Sequence, residues 1–206
     1  MTQPPSADLL TRLADLLGPK GFSRDPDDMA PWLTDWRGRY QGQAAAMLSP
    51  ANREEVAAVV TLCAAEQVAI VPQGGNSGMV GGATPDATGH QPLLSLRRMN
   101  RIRDIDVAAG LAIVEAGVVL EHLHDAALAH GLRFPLTLGG KGSATVGGLV
   151  STNAGGTQVL RFGTMRALVE GVEAVLPDGE ILEALAPLKK DNRGYDLRHL
   201  FCGAEG

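Results

Sequence analysis

The glycines of this chain are not spread evenly along it. Twelve of the 26 fall in two short windows, Gly74 to Gly82 and Gly139 to Gly156. Elsewhere glycine occurs at about the 7% usual for proteins. Both windows are built on Gly-Gly doublets, at 74–75 and 81–82 and then at 139–140, 147–148 and 155–156. Lacking a Cβ, glycine opens backbone conformations closed to other residues and lets another molecule approach the chain, at a cost in chain entropy. Two such loops with little charge fit one large phosphate-bearing ligand gripped by backbone N–H groups.

The totals narrow the setting. A chain of 206 residues is long enough for one domain or two small lobes around a real core. A net charge of −5 offers no basic face for nucleic acid or an anionic membrane. Cys63 and Cys202 have neither metal nor redox spacing, and two lone thiols fit a reducing compartment. No apolar run is long enough to span a bilayer, and the start MTQPPSADLL lacks the pattern of a secretory signal. The expectation is a soluble cytoplasmic protein.

Hydrophobic spacing predicts the elements. Ser6 caps a helix with Leu9, Leu10, Leu13, Leu16 and Leu17 on one face, stopping at Gly18-Pro19. Residues 22–43 read as irregular, and Ala44 to Leu48 as a strand. Asn52 with Glu55 resembles a capping box opening a helix with Val56, Val59, Val60 and Cys63 inward. Strands are expected at Val68 to Val71, Leu93 to Leu96, Ile102 to Val107 and Leu111 to Glu115, then a helix from Leu120 to His130 ending at Gly131. Strands at Leu168 to Leu176 and Glu180 to Leu185 flank the turn Pro177-Asp178-Gly179. A βαβ start followed by antiparallel pieces predicts an α+β fold of two small lobes. The expected division is a lead-in at 1–43, a first lobe at 44–97 and a second at 98–206.

Each window carries chemistry. In Pro72-Gln73-Gly74-Gly75-Asn76-Ser77-Gly78-Met79-Val80-Gly81-Gly82 the chain leaves a buried strand and turns at once, so that successive N–H groups form a concave anion nest, with Asn76 and Ser77 as added donors. A tight connection between core strands also uses glycine, but five in nine residues exceed what a connection needs. In the second window Thr145 caps a short helix through Thr152, and Gly147 and Gly148 leave room for something to lie flat on its first turn. Ser143, Thr145, Thr152 and Asn153 offer donors and acceptors to a polar ring edge; the competing reading is a glycine-rich packing loop. Lys141 is followed by Gly142, which excludes a P-loop, and Gly140-x-Gly142 has no glycine at 145, which excludes the Rossmann fingerprint.

PQGGNSGMVGG at 72–82, GKGSATVGGLVSTNAGG at 140–156 and DNRGYDLRHLFCGAEG at 191–206 together resemble the flavin-binding half of FAD-linked oxidases of the vanillyl-alcohol-oxidase or p-cresol-methylhydroxylase (PCMH) type. Within that type they are most similar to the branch of D-2-hydroxyglutarate dehydrogenase and D-lactate dehydrogenase (cytochrome). The likeness runs from about Thr34 to the last residue. It implies a PCMH-type fold in which Gly74, Gly75, Asn76, Ser77 and Gly78 wrap the FAD pyrophosphate through backbone amides, with Pro72, Gly81 and Gly82 also binding the cofactor. It implies further that Pro135, Leu138, Gly139, Gly142, Ser143, Val146, Gly147, Gly148, Thr152, Asn153 and Gly155 line the flavin and ribityl path. Gly171 and Val172 would lie by the adenine, and Glu205 with Gly206 would begin a glutamate-glycine turn near the flavin. Relatives with covalent flavin carry a histidine where this chain has Asn76, so the resemblance implies non-covalent FAD.

The implied activity is oxidation of a D-2-hydroxy acid to its 2-oxo acid, with an acceptor that the sequence does not identify. In the family a cap domain supplies the substrate-binding arginine and a histidine-rich metal site. This chain stops at Ala204-Glu205-Gly206 and is expected to lack that cap, to be inactive alone, and to bind its substrate only with a cap present. The alternative is a non-catalytic flavin-binding module, or a subunit whose cap is a separate chain. No catalytic residue and no metal ligand is assigned. His122 and His124, two apart on a helix, face differently and are expected on a solvated face. Arg37, Arg39, Arg193 and Arg198 are the nearby carboxylate-clamp candidates. Trp32, Trp36, Arg37 and Arg39 read as packing or as a wall of the flavin site, Tyr195 as a packing residue, and Cys202 as a small buried hydrophobe.

Overall fold

The computed structural model describes residues 3–185, 192 and 194–206, which form two units. One comprises Met1–Met99 with Val175–Ile181, the other Asn100–Ala174 with Leu182–Gly206. The fold is α+β, and no helix among the described residues is long and apolar enough to cross a membrane.

In the first unit α1 (Ala7–Gly21) starts where Ser6 Oγ accepts the Leu9 N–H at 3.0 Å. Its leucine spacing places Leu9, Leu13 and Leu17 in the core, and Gly18, at φ 62, breaks it before a last turn. The stretch expected to be irregular holds β1 (Phe22–Ser23), α2 (Pro26–Met29) and a bridge between Thr34 and Gln41. Next come β2 (Met47–Leu48) and α3 (Arg53–Ala65). Asn52 Oδ1 accepts the Glu55 N–H at 2.8 Å, and Glu55 in return accepts the Ala51 N–H at 2.7 Å. β3 (Val71–Gln73) and β4 (Leu93–Ser95) complete a sheet in the order β1-β2-β4-β3, with β4 parallel to both neighbours and β1 antiparallel to β2.

The strand expected at Val68 to Val71 therefore begins at its far end. Val68 instead fills the core, and the ladder starts where Val71 pairs with Leu93. Pro72 is tolerated in β3 because that strand is at the sheet edge. The core gathers Leu9, Leu13 and Leu17 of α1 with Val56, Val59 and Cys63 of α3 and Leu48 and Leu94 of the sheet. Burial pushes the Cys63 thiol up to about 11, which makes it inert.

The second unit begins with the hairpin of β5 (Ile102–Asp106) and β6 (Leu111–Val114), turning at Gly110 with φ 67. It continues through α4 (Leu120–Ala129), α5 (Val146–Ser151), α6 (Val159–Phe162) and α7 (Met165–Leu168). The two-stranded pair of β7 (Val172–Val175) and β8 (Ile181–Ala184) follows, and α8 (Arg198–Phe201) is last. The strand expected from Leu168 starts only at Val172, because residues 165–168 make a helical turn that buries Met165. Val118, Leu120, Leu123, Leu136, Val146, Leu149, Met165, Val172 and Cys202 form the core. Below the first hairpin, the Glu115 side chain is buried and takes both the backbone N–H of Arg101 (2.8 Å) and its guanidinium (2.8 Å).

Candidate functional site

The first glycine window leaves the carboxyl end of β3, where ligands of open α/β sheets are commonly bound. Buried Gln73, the last strand residue, turns its amide sideways. Its Nε2 donates to Trp32 O and Ala83 O, both at 2.9 Å, which ties the segment before β2 to the far side of the window. Asn76 is left-handed, with φ 51, and its Nδ2 donates to Thr34 O at 2.8 Å. The Tyr40 ring packs on Gly81, where a Cβ would stand 2.6 Å from the ring.

Residues 32–42 therefore form a wall of this window. Asp35 braces the wall: its carboxylate accepts the N–H groups of Tyr40 and Arg39 at 2.6 Å and of Arg37 at 3.0 Å. These bonds, Tyr40 first, hold the carboxyl below its usual range. The Arg97 guanidinium lies 3.2 Å from the centroid of the Trp32 ring. Trp36, by contrast, is 67% exposed and does not pack. Among the described residues, no backbone N–H from Gly74 to Gly82 donates to a protein acceptor. An open cleft of about 500 Å³ continues from Gly81 and Gly82 past Arg39, Tyr40 and Thr84.

The second window differs from expectation in how its side chains are used. Thr145 is buried and its Oγ1 accepts the Gly148 N–H at 3.4 Å. Thr152 Oγ1 donates to Gly148 O at 2.8 Å, Ser143 Oγ to Gly140 O at 3.3 Å, and Asn153 Oδ1 accepts the Arg166 N–H at 2.9 Å. All four groups make hydrogen bonds within the protein, while the Ser143 and Thr152 side chains remain exposed. The first turn of α5 is engaged too, since the N–H groups of Val146 and Gly147 donate to Val118 O and Ala116 O, each at 2.8 Å.

At Gly147 the space on the Cβ side is taken by the chain itself. A Cβ there would meet Ala116 Cβ at 2.7 Å, so the glycine admits the chain itself. Packing likewise accounts for Gly171, where a Cβ would lie 2.6 Å from Ala184 O, and for Gly155, against Val159 at 3.0 Å. Val146 and Val172 point into the core. The N–H groups of Gly139, Gly140 and Gly142 have no protein acceptor among the described residues. The cation beside them is already matched, with Lys141 Nζ 2.9 Å from Glu121 Oε1.

Gly78 and Gly139 test whether a cofactor fits. Neither is left-handed, and a Cβ on either would meet no atom within 4 Å. Neither conformation nor packing calls for glycine at these two points, one in each window. Free space beside bare backbone with unpaired N–H groups is what the phosphates and ring of a dinucleotide require.

The tail docks on the end of α5. Gly203 N–H donates to Val150 O at 3.0 Å and Glu205 N–H to Ser151 O at 2.8 Å, with Glu205 left-handed at φ 65. Arg166 holds it from the side through His199 O at 2.5 Å and Cys202 O. Tyr195, expected to pack, is 95% exposed because Phe201 and Cys202 supply the tail's contact with the core. Arg198 is engaged by Glu170 and Asp196, while Arg193 lies outside the described residues. His124 Nε2 is 2.8 Å from Leu136 O, a structural contact, and His122 is exposed. Among the described residues no group of three metal-ligating side chains gathers. Sequence reasoning gave no role to Asp35, Gln73, Arg97 or Arg166. Only Asp35, three residues before Gly38, carried a turn signal that could have pointed to it.

Residues 44–185 match a family described as FAD binding domain. The chain is 42% identical over 192 residues to a protein named mitochondrial D-2-hydroxyglutarate dehydrogenase from Arabidopsis thaliana, covering 93% of this chain and 34% of that one. It is 43% identical over 182 residues to the mitochondrial D-2-hydroxyglutarate dehydrogenase of Bos taurus, covering 88% of this chain and 33% of that one. The D-2-hydroxyglutarate–pyruvate transhydrogenase of Saccharomyces cerevisiae is 42% identical over 184 residues, 89% of this chain and 37% of that one. The chain thus spans about a third of the length of these relatives. Among solved structures, alkyldihydroxyacetonephosphate synthase superposes with a TM-score of 0.86 at 22% identity, over 100% of this chain and 39% of that one. A 6-hydroxy-D-nicotine oxidase from Arthrobacter nicotinovorans gives 0.70 at 23% identity, over 81% of this chain and 36% of that one. At such identities the likeness speaks for the fold.

Proposed function

This chain belongs to the FAD binding domain family, and from that premise we propose that it carries non-covalent FAD for a dehydrogenase oxidising a D-2-hydroxy acid to its 2-oxo acid. The substrate class is supported by the names of the relatives at 42–43% identity. When bound, the flavin supplies the chemistry by accepting a hydride from C2 of the acid; the protein holds and orients it. The unpaired N–H groups of residues 74–82 receive the diphosphate, with Arg37 and Arg39 as the cations of the adjoining wall. Residues 138–142 present their backbone to the flavin end. Non-covalent attachment is supported by the windows themselves, which contain no histidine, cysteine or tyrosine to act as nucleophile. A reducing compartment such as the cytoplasm suits the free, buried Cys63 and Cys202.

The observation that carries this reading is the open space at Gly78 and Gly139. Gly78→Ala and Gly139→Ala should each fold as the parent does, with stability changed by no more than about 0.5 kcal/mol. Each should weaken FAD binding by about 10-fold or more, since the added methyl occupies the ligand's place. Calorimetric titration of the folded variants decides it, and parent-like affinity in both would mean the loops are only connections. Acid precipitation of the loaded chain should leave all the yellow chromophore in solution; colour in the pellet would refute non-covalent attachment.

A further inference from the structure

Each glycine window contains one left-handed residue that is not glycine, and in both it is an asparagine: Asn76 at φ 51 and Asn153 at φ 48. Asparagine visits this region more readily than most residues, but at a cost that neighbouring contacts must offset. In both windows the side chain supplies such a contact to backbone remote in sequence. Asn76 acts as a donor, Nδ2 to Thr34 O at 2.8 Å, and its anchor is the segment braced by Asp35. Asn153 acts as an acceptor, Oδ1 from the Arg166 N–H at 2.9 Å, and its anchor is the residue whose guanidinium holds His199 O and Cys202 O.

A left-handed residue among right-handed ones is what turns successive N–H groups toward one point. Each window also holds a left-handed glycine, Gly81 at φ 78 and Gly156 at φ 67, but the asparagines carry a side chain that ties the turn to backbone outside the window. We propose that Asn76 and Asn153 are positioning residues for the cofactor, fixing the path of each window's backbone through hydrogen bonds of opposite sense. This rests on the FAD reading above and adds to it a division of labour. Glycines give access and the two asparagines give shape.

The opposite senses give the test. Aspartate tolerates the left-handed region as asparagine does, but its carboxylate only accepts. At 153 the acceptor survives, so Asn153→Asp should bind FAD within about 3-fold of the parent, whereas Asn153→Gly, which keeps φ and loses the bond, should bind about 10-fold more weakly. At 76 the donor is lost and a carboxylate faces the Thr34 carbonyl, so Asn76→Asp should bind about 100-fold more weakly. Asn76→Gly removes the bond without adding charge and should bind about 10-fold more weakly, which separates the anchor from electrostatic repulsion of the phosphates.

The measurements are FAD titration by flavin fluorescence, visible circular dichroism of the bound flavin, and melting of the apo chain. Altered dichroism in the two glycine variants with restoration in Asn153→Asp is expected, since a purely structural loss would lower melting without moving the flavin signal. Parent-like affinity in Asn76→Gly, or equal losses in Asn153→Asp and Asn153→Gly, would overturn the proposal while leaving FAD binding intact. A parent chain that binds no FAD would instead sink the underlying reading, and this proposal with it.

Discussion

Glycines that look alike in the sequence divide by what stands beside them. Gly156 is left-handed at φ 67, and a Cβ there would lie 2.4 Å from Thr137 O, which is backbone and has little freedom to move. Gly156→Ala should therefore destabilise the chain by about 1–3 kcal/mol, read as a lower urea midpoint. Gly78→Ala should leave that midpoint in place. The sequence showed both windows at once, because doublets at this density have few uses. It did not show which glycines face a ligand, since Ala116, Thr137 and Ala184 come close only through the fold. Asp35 carries a turn signal before Gly38, but the three N–H groups that it gathers come together only in the fold. Its folded carboxyl titrates below the ordinary 3.8, so the stabilisation it gives is present above that value and is lost as pH falls through the lower folded one. Asp35→Asn should lose that acid-dependent component, and a fluorescence-monitored acid titration of Trp32 and Trp36 would show parent and variant converging at low pH. Curves separated by the same amount at every pH would rule this out.

Among the elements, those with a periodic face or a cap were readable and those defined by pairing were not. α1 and α3 follow from leucine and valine spacing with Ser6 and Asn52 at their starts. β1 is two residues long and exists because Phe22 meets Leu48, a partner that no local pattern announces. The run from Val68 to Val71 is apolar throughout, so periodicity could not say which part forms the ladder; register with Leu93 decided it. The helix read as part of a lead-in belongs to the first core. Leu13 is fully buried there against α3, and Leu13→Ala should cost about 2–5 kcal/mol. Thermal unfolding of the variant measures this, and a loss below about 1 kcal/mol would mean α1 is peripheral to the unit.

For the whole molecule, the resemblance carried by three motifs led to the family, whereas no motif announced that residues 175–181 join the first unit. The 206-residue chain, loaded with FAD, should not be bleached by D-2-hydroxyglutarate or D-lactate under anaerobic conditions. Hydride transfer needs the donor carbon held about 3–3.5 Å from its acceptor with the hydroxyl proton removed, and among the described residues no group of three metal-ligating side chains gathers. Rapid loss of the flavin band on adding either acid would place the catalytic groups in this chain after all. The assignment of residues 175–181 to the first unit has a further consequence. Val175 packs on that unit's core, and Gly179, at φ 89, brings the chain against Thr61 and Ala57 of α3, where a Cβ would stand 2.0 Å from Thr61 Oγ1. A nascent chain emerging from the ribosome has all of α1, α3 and the four-stranded sheet in hand once Met99 is out, yet must wait until residue 181 is made for the contacts of Val175 and Gly179. Joining such distant segments grows dearer only slowly with the length between them. The first unit is thus completed only after most of the second has been synthesised.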